Sequence, residues 1–240
     1  DPTGAGLRGY YRIWHRLLRE LRAAYPQTFF EGCAGGGGRL DLNTLAQYDG
    51  HALSDNGDLT DTLRIAEGAW LRLPPGRLTG WASFHETDAT RVDFACRVAL
   101  GGMLGFSGSL SSLGPQARAR VRFHADFFKR ERGFLRDAVA HLLTAPARMG
   151  DRLGWRAVQL QDPATARSLL LACRLHHAGA SETFPLRDLV PAQEYVVTDP
   201  DAPGRQERRT GAELMRDGLS VTLSGAEQAA MRLVETAPRG

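Results

Sequence analysis

Residues 33–41, CAGGGGRLD, and residues 54–58, SDNGD, decide the fold of this chain. The first stretch follows a short apolar run at 28–30, and the second follows another at 51–53. Each run is typical of a short strand that ends in a cluster of polar, turn-forming residues. In an α/β barrel the strand ends carry the functional groups, so the two clusters are the first candidates for a site.

Helix-like and strand-like segments alternate around these stretches. A third short strand is predicted at 78–84. Apolar residues spaced three and four apart predict helices at 7–24, 59–73, 92–104 and 115–144. Alternation of this kind is typical of βα units, so a parallel sheet or barrel is expected over residues 1–150.

The pattern changes near residues 146–152, where helical periodicity stops. Short alternating runs follow, each bounded by turn-forming residues, at 155–160, 168–175, 194–197, 219–223 and 230–234. They predict a small antiparallel β domain over residues 151–240.

Bulk composition excludes several classes of protein. The chain has 240 residues, of which 42% are hydrophobic, and a net charge of +3. These values suit one or two globular domains. Lys129 is the only lysine, and the arginines are interspersed with acids, so no nucleic-acid surface is expected. No apolar run is long enough to span a membrane.

No metal or cofactor is expected from the motifs. Cys33, Cys96 and Cys173 lack the spacing of a metal site. The glycine run at 35–38 is not followed by Gly-Lys-Ser/Thr, which argues against a nucleotide loop. The chain does not begin with Met and reads as a piece of a longer protein. Since no signal peptide is visible, a cytoplasmic location is expected, and a homo-oligomer remains open.

Structural roles compete with functional ones at several of these residues. Asp55 could be a turn or helix-capping residue, and Cys33 a small buried side chain. The glycine run could be a plain turn or one that faces a ligand. Arg39 and Asp41 could pair and brace the loop. Asp58 could cap the helix that begins at residue 59.

The segment 33–68 resembles glycoside hydrolase family 36, the α-galactosidases and their relatives. That family carries the pattern C-x-S-G-G-G-R-x-D, then S-D-x-x-D, then L-[KR]-I-Q and a glycine. The matching residues here are Cys33, Gly36 to Arg39, Asp41, Ser54, Asp55, Asp58, Leu63 to Ile65 and Gly68. Residues 189–195 and 211–219 resemble the family's C-terminal β domain, so the resemblance spans nearly the whole chain.

The resemblance implies both a fold and a reaction. The fold would be α/β: the C-terminal part of a (β/α)8 TIM barrel, with about its last three strands, followed by a small antiparallel β-sandwich. The reaction would be retaining cleavage of terminal α-galactosides such as raffinose-type oligosaccharides. Such cleavage uses two carboxyl groups roughly 5–5.5 Å apart.

The family match also suggests site residues. It makes Asp55 the acid/base and places Cys33 and Gly36 against the galactose ring. Two further residues are suggested by position alone. Trp81, near the end of the third predicted strand, could stack on a sugar, and His85, just beyond it, could line the pocket.

Departures from the family pattern matter for activity. The family's nucleophile lies in a Lys-Trp-Asp motif, which is absent here, so the 240 residues alone are expected to be inactive. Gly35 replaces a serine, and the stretches at 66–67 and 80–83 also differ, which indicates a divergent subgroup. The alternatives are an α-N-acetylgalactosaminidase, a transglycosylase, an inactive sugar-binding fragment or an unrelated barrel.

Overall fold

The computed structural model describes residues 3–84 and 89–238. The chain divides into two compact units, Asp1–Asp55 and Asn56–Gly240.

The first unit contains two helices and a pair of short parallel strands. Its elements are α1 (Ala5–Ala24), β1 (Glu31–Gly32), α2 (Leu42–Leu45) and β2 (Gly50–Ala52). The carboxylate of Asp49 ties three of them together. It accepts hydrogen bonds from the Arg22 guanidinium at 2.8 and 2.9 Å and from the Phe30 N–H at 2.9 Å. The end of α1 and the entry to β1 are thereby fixed beside β2.

The second unit begins with alternating helices and strands. Its first elements are α3 (Leu59–Trp70), β3 (Leu78–Ser83), α4 (Ala89–Ala99), β4 (Met103–Ser107) and α5 (Pro115–Asp137). Strands β3 and β4 are parallel, with Trp81 opposite Gly105. The predicted helix at 59–73 and the strand at 78–84 are confirmed.

The predicted helix at 92–104 is wrong at its C-terminal end. Helix α4 stops at Ala99, and β4 begins at Met103. A side chain at Gly101 would overlap the Trp70 ring, whose Nε1–H donates to the Gly101 carbonyl at 2.7 Å. The adjacent glycines, 101 and 102, favour a break because glycine is a poor helix former.

The predicted helix at 115–144 also runs too far. Helix α5 ends at Asp137, and residues Val139–Leu142 form β5, which pairs antiparallel with the strand Trp155–Gln161. Pairing with a distant strand overrides the local helical periodicity here. The antiparallel sheet therefore begins before the predicted boundary at residue 150.

Residues from Val139 onward form two antiparallel sheets, which we call the antiparallel region. The larger has six strands in the order β10-β9-β12-β7-β6-β5, and the smaller pairs β11 with β8. The bounds are β6 (Trp155–Gln161), β7 (Ser168–Arg174), β8 (Ser181–Phe184), β9 (Glu194–Asp199), β10 (Ala202–Thr210), α6 (Gly211–Arg216), β11 (Leu219–Thr222) and β12 (Gln228–Thr236). The five strands predicted beyond residue 150 are confirmed.

Two of these strands were not predicted, β8 and β10. Most of β10 is exposed and charged, so it has no alternating pattern to detect. Charged residues on a sheet edge discourage pairing with other chains.

The core of the antiparallel region lies between its two sheets. Tyr195, Leu214 and Val221, each 0% exposed, pack there with Trp155 and Phe184. The opposite face of the large sheet lies against α4, through β12 and β7. Cys96 on α4 and Cys173 on β7 are both buried, and burial raises the pKa of each thiol to about 12.

A buried carboxylate yields the first prediction. Glu67 on α3 is 3% exposed, and its Oε2 accepts from the Ala147 N–H at 3.1 Å. Burial raises the pKa of Glu67 above its ordinary value of 4.5, outweighing the Ala147 N–H and the charge of Arg156. A raised carboxyl pKa gives stability that is complete below the unfolded-state pKa and is lost as the pH rises through the folded-state pKa. We therefore expect Glu67→Gln, in the native polypeptide that contains this chain, to raise Tm at pH 8 by roughly 1–2 °C.

The Tm of Glu67→Gln should no longer exceed that of the wild type near pH 4, where wild-type Glu67 is neutral in the folded protein. Melting curves of both proteins from pH 4 to pH 8 measure this difference. Glu20, whose side chain is 67% exposed and pairs with Arg16, supplies the control, and Glu20→Gln should change Tm at pH 8 by less than about 1 °C. A Glu67→Gln protein that melts lower than wild type at pH 8 would contradict the prediction.

Candidate functional site

Asp55 lies three residues beyond the end of β2 and is exposed. Within residues 3–84 and 89–238, no hydrogen bond or ion pair engages its carboxylate. Most other carboxylates near it are engaged, as Asp41, Asp49 and Asp58 are. The Asp55 side chain is therefore available to solvent and to a ligand.

The glycine-rich turn packs directly against the backbone that carries Asp55. Gly36 is buried and has φ +76°, in the left-handed region that favours glycine. A Cβ at Gly36 would lie 2.7 Å from the Asp55 nitrogen and closer still to the Ser54 Cα. A Cβ at Gly37 would lie 2.5 Å from the Leu53 carbonyl oxygen. The two stretches that the sequence singled out, residues 33–41 and 54–58, thus meet at Gly36 and Asp55.

Cys33 follows the last residue of β1 and leads into the glycine turn. Its thiol is free and exposed. The interpretation of Cys33 as a small buried side chain is therefore wrong. Its contact with a sugar stays a prediction.

Arg39 and Asp41 both lie within the described residues, and the expected pairing between them is wrong. Asp41 caps α2, where its carboxylate accepts from the Thr44 N–H at 3.0 Å and the Thr44 hydroxyl at 2.6 Å. The hydroxyl bond is the main reason that the pKa of Asp41 is lowered. Arg39 lies over the rings of Tyr10 and Trp14, 5.9 Å from each centroid. The loop is braced by these two separate contacts.

Asp58 caps α3, as predicted. Its Oδ1 accepts from the Asp61 N–H at 2.9 Å and also pairs with the guanidinium of Arg152. Burial acts to raise the pKa of Asp58, but the bonds from Arg152 and from the Asp61 N–H lower it by more. The pKa therefore lies below its ordinary value, and the carboxylate stays ionised. The second aspartate of the S-D-x-x-D pattern therefore anchors the helix.

Trp81 lies on β3 in the second unit, and 38% of the residue is exposed. Its ring covers Gly105 on β4, where a Cβ would be 3.0 Å from the ring. Neighbouring Ala82 points the other way and is 0% exposed. An exposed indole on a parallel strand can stack on a sugar, and this role stays a prediction. His85 lies outside the described residues.

Sequence reasoning missed two residues of the antiparallel region that contact the start of α3. Arg152 pairs with Asp58, and Glu227 accepts from the Thr60 hydroxyl at 3.4 Å. These partners are 94 and 167 residues apart in the chain. No local pattern signals contacts over such separations.

Neither a metal site nor a membrane-spanning helix is found among the described residues. In the described part of the chain, no group of three or more His, Cys, Asp or Glu side chains could hold a metal ion. None of the helices there combines the length and apolar character needed to cross a membrane.

Sequence comparisons find related α-galactosidases. Alpha-galactosidase Mel36A of Lactobacillus acidophilus is 28% identical over 162 residues, which cover 66% of this chain and 22% of that protein. Alpha-galactosidase C of Emericella nidulans is 35% identical over 96 residues, or 38% of this chain and 13% of that protein. The chain thus spans less than a quarter of the length of either relative.

Solved structures share the fold. The α-galactosidase of Lactobacillus brevis superposes with a TM-score of 0.80 at 22% identity, covering 94% of this chain and 31% of that one. The GH36 α-galactosidase AgaA of Geobacillus stearothermophilus, a variant in complex with raffinose, gives a TM-score of 0.78 at 19% identity, covering 92% and 30%. The α/β fold with parallel strands and antiparallel sheets, expected from the sequence, is the fold of these domains.

The family assignment rests on a separate match. The sequence model of the Melibiase family matches residues 6–137, which include the glycine turn, Asp55 and Trp81. The resemblance to glycoside hydrolase family 36 is therefore confirmed. Because the match covers more than half of its length, the chain belongs to the Melibiase family.

Proposed function

We propose that this chain is the acid/base-bearing part of a retaining α-galactosidase. One observation carries the proposal: Asp55 presents an exposed carboxylate that no described residue engages, on backbone packed against Gly36. The neighbouring aspartate, Asp58, is committed to capping α3 and to Arg152. Of the two aspartates in the motif, Asp55 is the one free to exchange protons with a substrate.

In the proposed mechanism Asp55 acts twice. It begins protonated and donates its proton to the glycosidic oxygen as a second carboxylate attacks the anomeric carbon. It then removes a proton from the water that hydrolyses the glycosyl-enzyme intermediate. The attacking carboxylate comes from a part of the polypeptide outside these 240 residues, because the Lys-Trp-Asp motif is absent here.

The proposed fold around Asp55 is a sector of a (β/α)8 barrel, followed by a β-sandwich. Four strands, β1 to β4, are each followed by a helix, and both described pairs are parallel. The proposed division near residue 150 shifts toward Val139, because β5 pairs within the antiparallel sheet. We expect the 240 residues to be inactive by themselves, because they lack the Lys-Trp-Asp motif.

Raffinose-type oligosaccharides are the proposed substrates. Two variants of the α-galactosidase AgaA of Geobacillus stearothermophilus have been solved, one with raffinose and one with stachyose. The exposed indole of Trp81 offers a stacking surface for a sugar ring, and Cys33 and Gly36 border the turn beside Asp55. α-N-Acetylgalactosaminides and transfer to a second sugar are the alternatives within the same chemistry.

Turnover by the native polypeptide tests the function. We expect it to hydrolyse raffinose and 4-nitrophenyl α-galactoside, and ¹H NMR should show that the α-anomer of galactose is released first. Initial release of the β-anomer would contradict a retaining mechanism. If the polypeptide preferred 4-nitrophenyl α-N-acetylgalactosaminide, that sugar would be assigned as the substrate in place of galactose. If the folded protein turned over none of these compounds, the proposal would be overturned.

A further inference from the structure

We propose that the antiparallel region contains a binding site for an oxyanion, the phosphate or carboxylate group of a small polar molecule. The site is a cavity of about 410 Å³ lined by strands of both sheets, β9, β10 and β12 of the larger and β11 of the smaller. All of its lining residues belong to the unit Asn56–Gly240. The inference goes beyond the proposed function and does not depend on it.

The size and lining of the cavity suit a small polar ligand. Ligand pockets in proteins typically enclose about 300–1,000 Å³. Val197 and Leu219, both buried, supply the apolar part of the wall. The other lining residues are polar or charged: Asp199, Arg205, Gln206, Glu207, Arg209, Ser220, Thr222 and Arg232. None of these ten described residues is aromatic, so the cavity offers no ring on which a neutral sugar could stack.

The charges of the lining favour an anion. Three arginines stand against two carboxylates, which gives the lining a net charge of +1. Asp199 pairs with Arg232 at 3.0 Å, and Glu207 lies 3.7 Å from Arg209. Arg205 has no hydrogen-bond or ion-pair partner among the described residues. The cavity therefore keeps one uncompensated positive charge, which a bound oxyanion would neutralise.

The two other arginines are held in place before any ligand binds. The Arg209 guanidinium donates to the carbonyls of Gly218 and Glu213 at 2.8 and 3.2 Å. Arg232 donates to the Met231 carbonyl at 2.6 Å. Only 24% and 22% of the two arginine side chains are exposed. Because they are already ordered, a ligand that contacts them loses little affinity to side-chain entropy.

An irregularity in strand pairing accompanies the free arginine. The register between β10 and β9 shifts between Ala202 and Gln206, whose partners are adjacent residues of β9. Residues 203–205 are therefore an insertion in β10 that has no counterpart in its partner strand. Such bulges redirect side chains and recur beside functional sites. Here the last residue of the insertion, Arg205, lines the cavity.

Strand β11 adds hydroxyl groups to the arginines. The hydroxyls of Ser220 and Thr222 each lie 2.8 Å from a hydroxyl of β8, those of Thr183 and Ser181. A serine or threonine that accepts from its neighbour still has its own proton to donate. A guanidinium binds phosphate and carboxylate oxygens through two parallel N–H bonds. The cavity thus combines the donors that recognise an oxyanion.

Calorimetric titration of the native polypeptide that contains this chain tests the site. Inorganic phosphate, glycerol 3-phosphate and malonate are titrated separately at neutral pH and constant ionic strength. We expect saturable binding, tighter for the phosphates if the ligand is a phosphate and tighter for malonate if it is a carboxylate. Arg205→Gln should weaken binding about 10-fold, because it removes a hydrogen bond between charged groups. Arg205→Lys, which keeps the charge without the planar fork, should weaken it less.

Arg208→Gln is the matched control. Arg208 lies on the same strand and pairs with Glu194 at 2.7 Å, but it does not line the cavity. Its substitution should leave the Kd unchanged, and melting curves should show that both variants fold, with Tm shifts below about 2 °C. Equal weakening by Arg208→Gln and Arg205→Gln would mean that anions respond only to overall charge, which overturns the inference. So would binding that Arg205→Gln leaves unchanged, or folded wild-type protein that binds none of the three anions.

Discussion

Asp55→Asn in the native polypeptide is expected to lower kcat/KM for raffinose by about 1,000-fold, within the range that general acid–base catalysis supplies. Asparagine keeps the shape of the side chain but cannot donate a proton to the glycosidic oxygen. Because Asp55 is exposed and makes no described side-chain contact, the substitution should leave Tm nearly unchanged. Steady-state kinetics and a melting curve on the same preparation measure both quantities.

The chemical nature of the defect identifies the role. An aryl α-galactoside with a good leaving group needs little protonation, so the Asp55→Asn enzyme should form the glycosyl intermediate from it but hydrolyse that intermediate slowly. Azide is an anion and needs no general base. Added azide should therefore restore turnover and yield the α-galactosyl azide, with configuration retained. A variant that lacked the nucleophile would give no such product.

Asp137→Asn is the matched control, since Asp137 is a surface carboxylate paired with Arg136 at 2.6 Å. It should match wild type on every substrate. Near-normal turnover of raffinose by Asp55→Asn would remove Asp55 from the catalytic pair. The acid would then be another carboxylate of the native polypeptide.

The candidate site could be predicted because its signals are local. Glycine is favoured where the backbone adopts a positive φ or approaches another segment closely, and Gly36 does both against Ser54 and Asp55. The capping role of Asp58 followed from its place before an apolar periodic segment. Local spacing also located helices α1 and α3 and five strands of the antiparallel region.

Elements that depend on distant partners could not be predicted. Residues 103–104 and 139–142 lie in stretches whose apolar spacing predicts a helix, yet they belong to β4 and β5, because another strand lies beside each. The contacts of Arg152 and Glu227 with α3 have the same origin. Arg39 and Asp41 are two residues apart, yet Arg39 bonds to Tyr10 and Asp41 bonds to Thr44.

Gly36→Ala should be damaging to both activity and stability. An alanine there must adopt φ +76°, and its Cβ would lie 2.7 Å from the Asp55 nitrogen, where ordinary contact begins at 3.4 Å. Gly36 is buried against backbone atoms, which cannot swing aside as a flexible side chain can. The Ser54–Asp55 backbone must therefore move, and a displacement of about 1 Å at a catalytic group costs about 100-fold in rate.

Gly35→Ala separates the two causes of that damage. Gly35 has φ +56°, but a Cβ there would meet no atom within 4 Å, so the substitution carries only the backbone strain, about 1 kcal/mol. We expect Gly35→Ala to lower Tm by about 2 °C and to keep most of the raffinose activity, while Gly36→Ala loses about 100-fold in kcat/KM and several degrees in Tm. Equal effects of the two variants would mean that backbone strain alone accounts for the loss. The packing of Gly36 against Asp55 would then have no part in positioning the carboxylate.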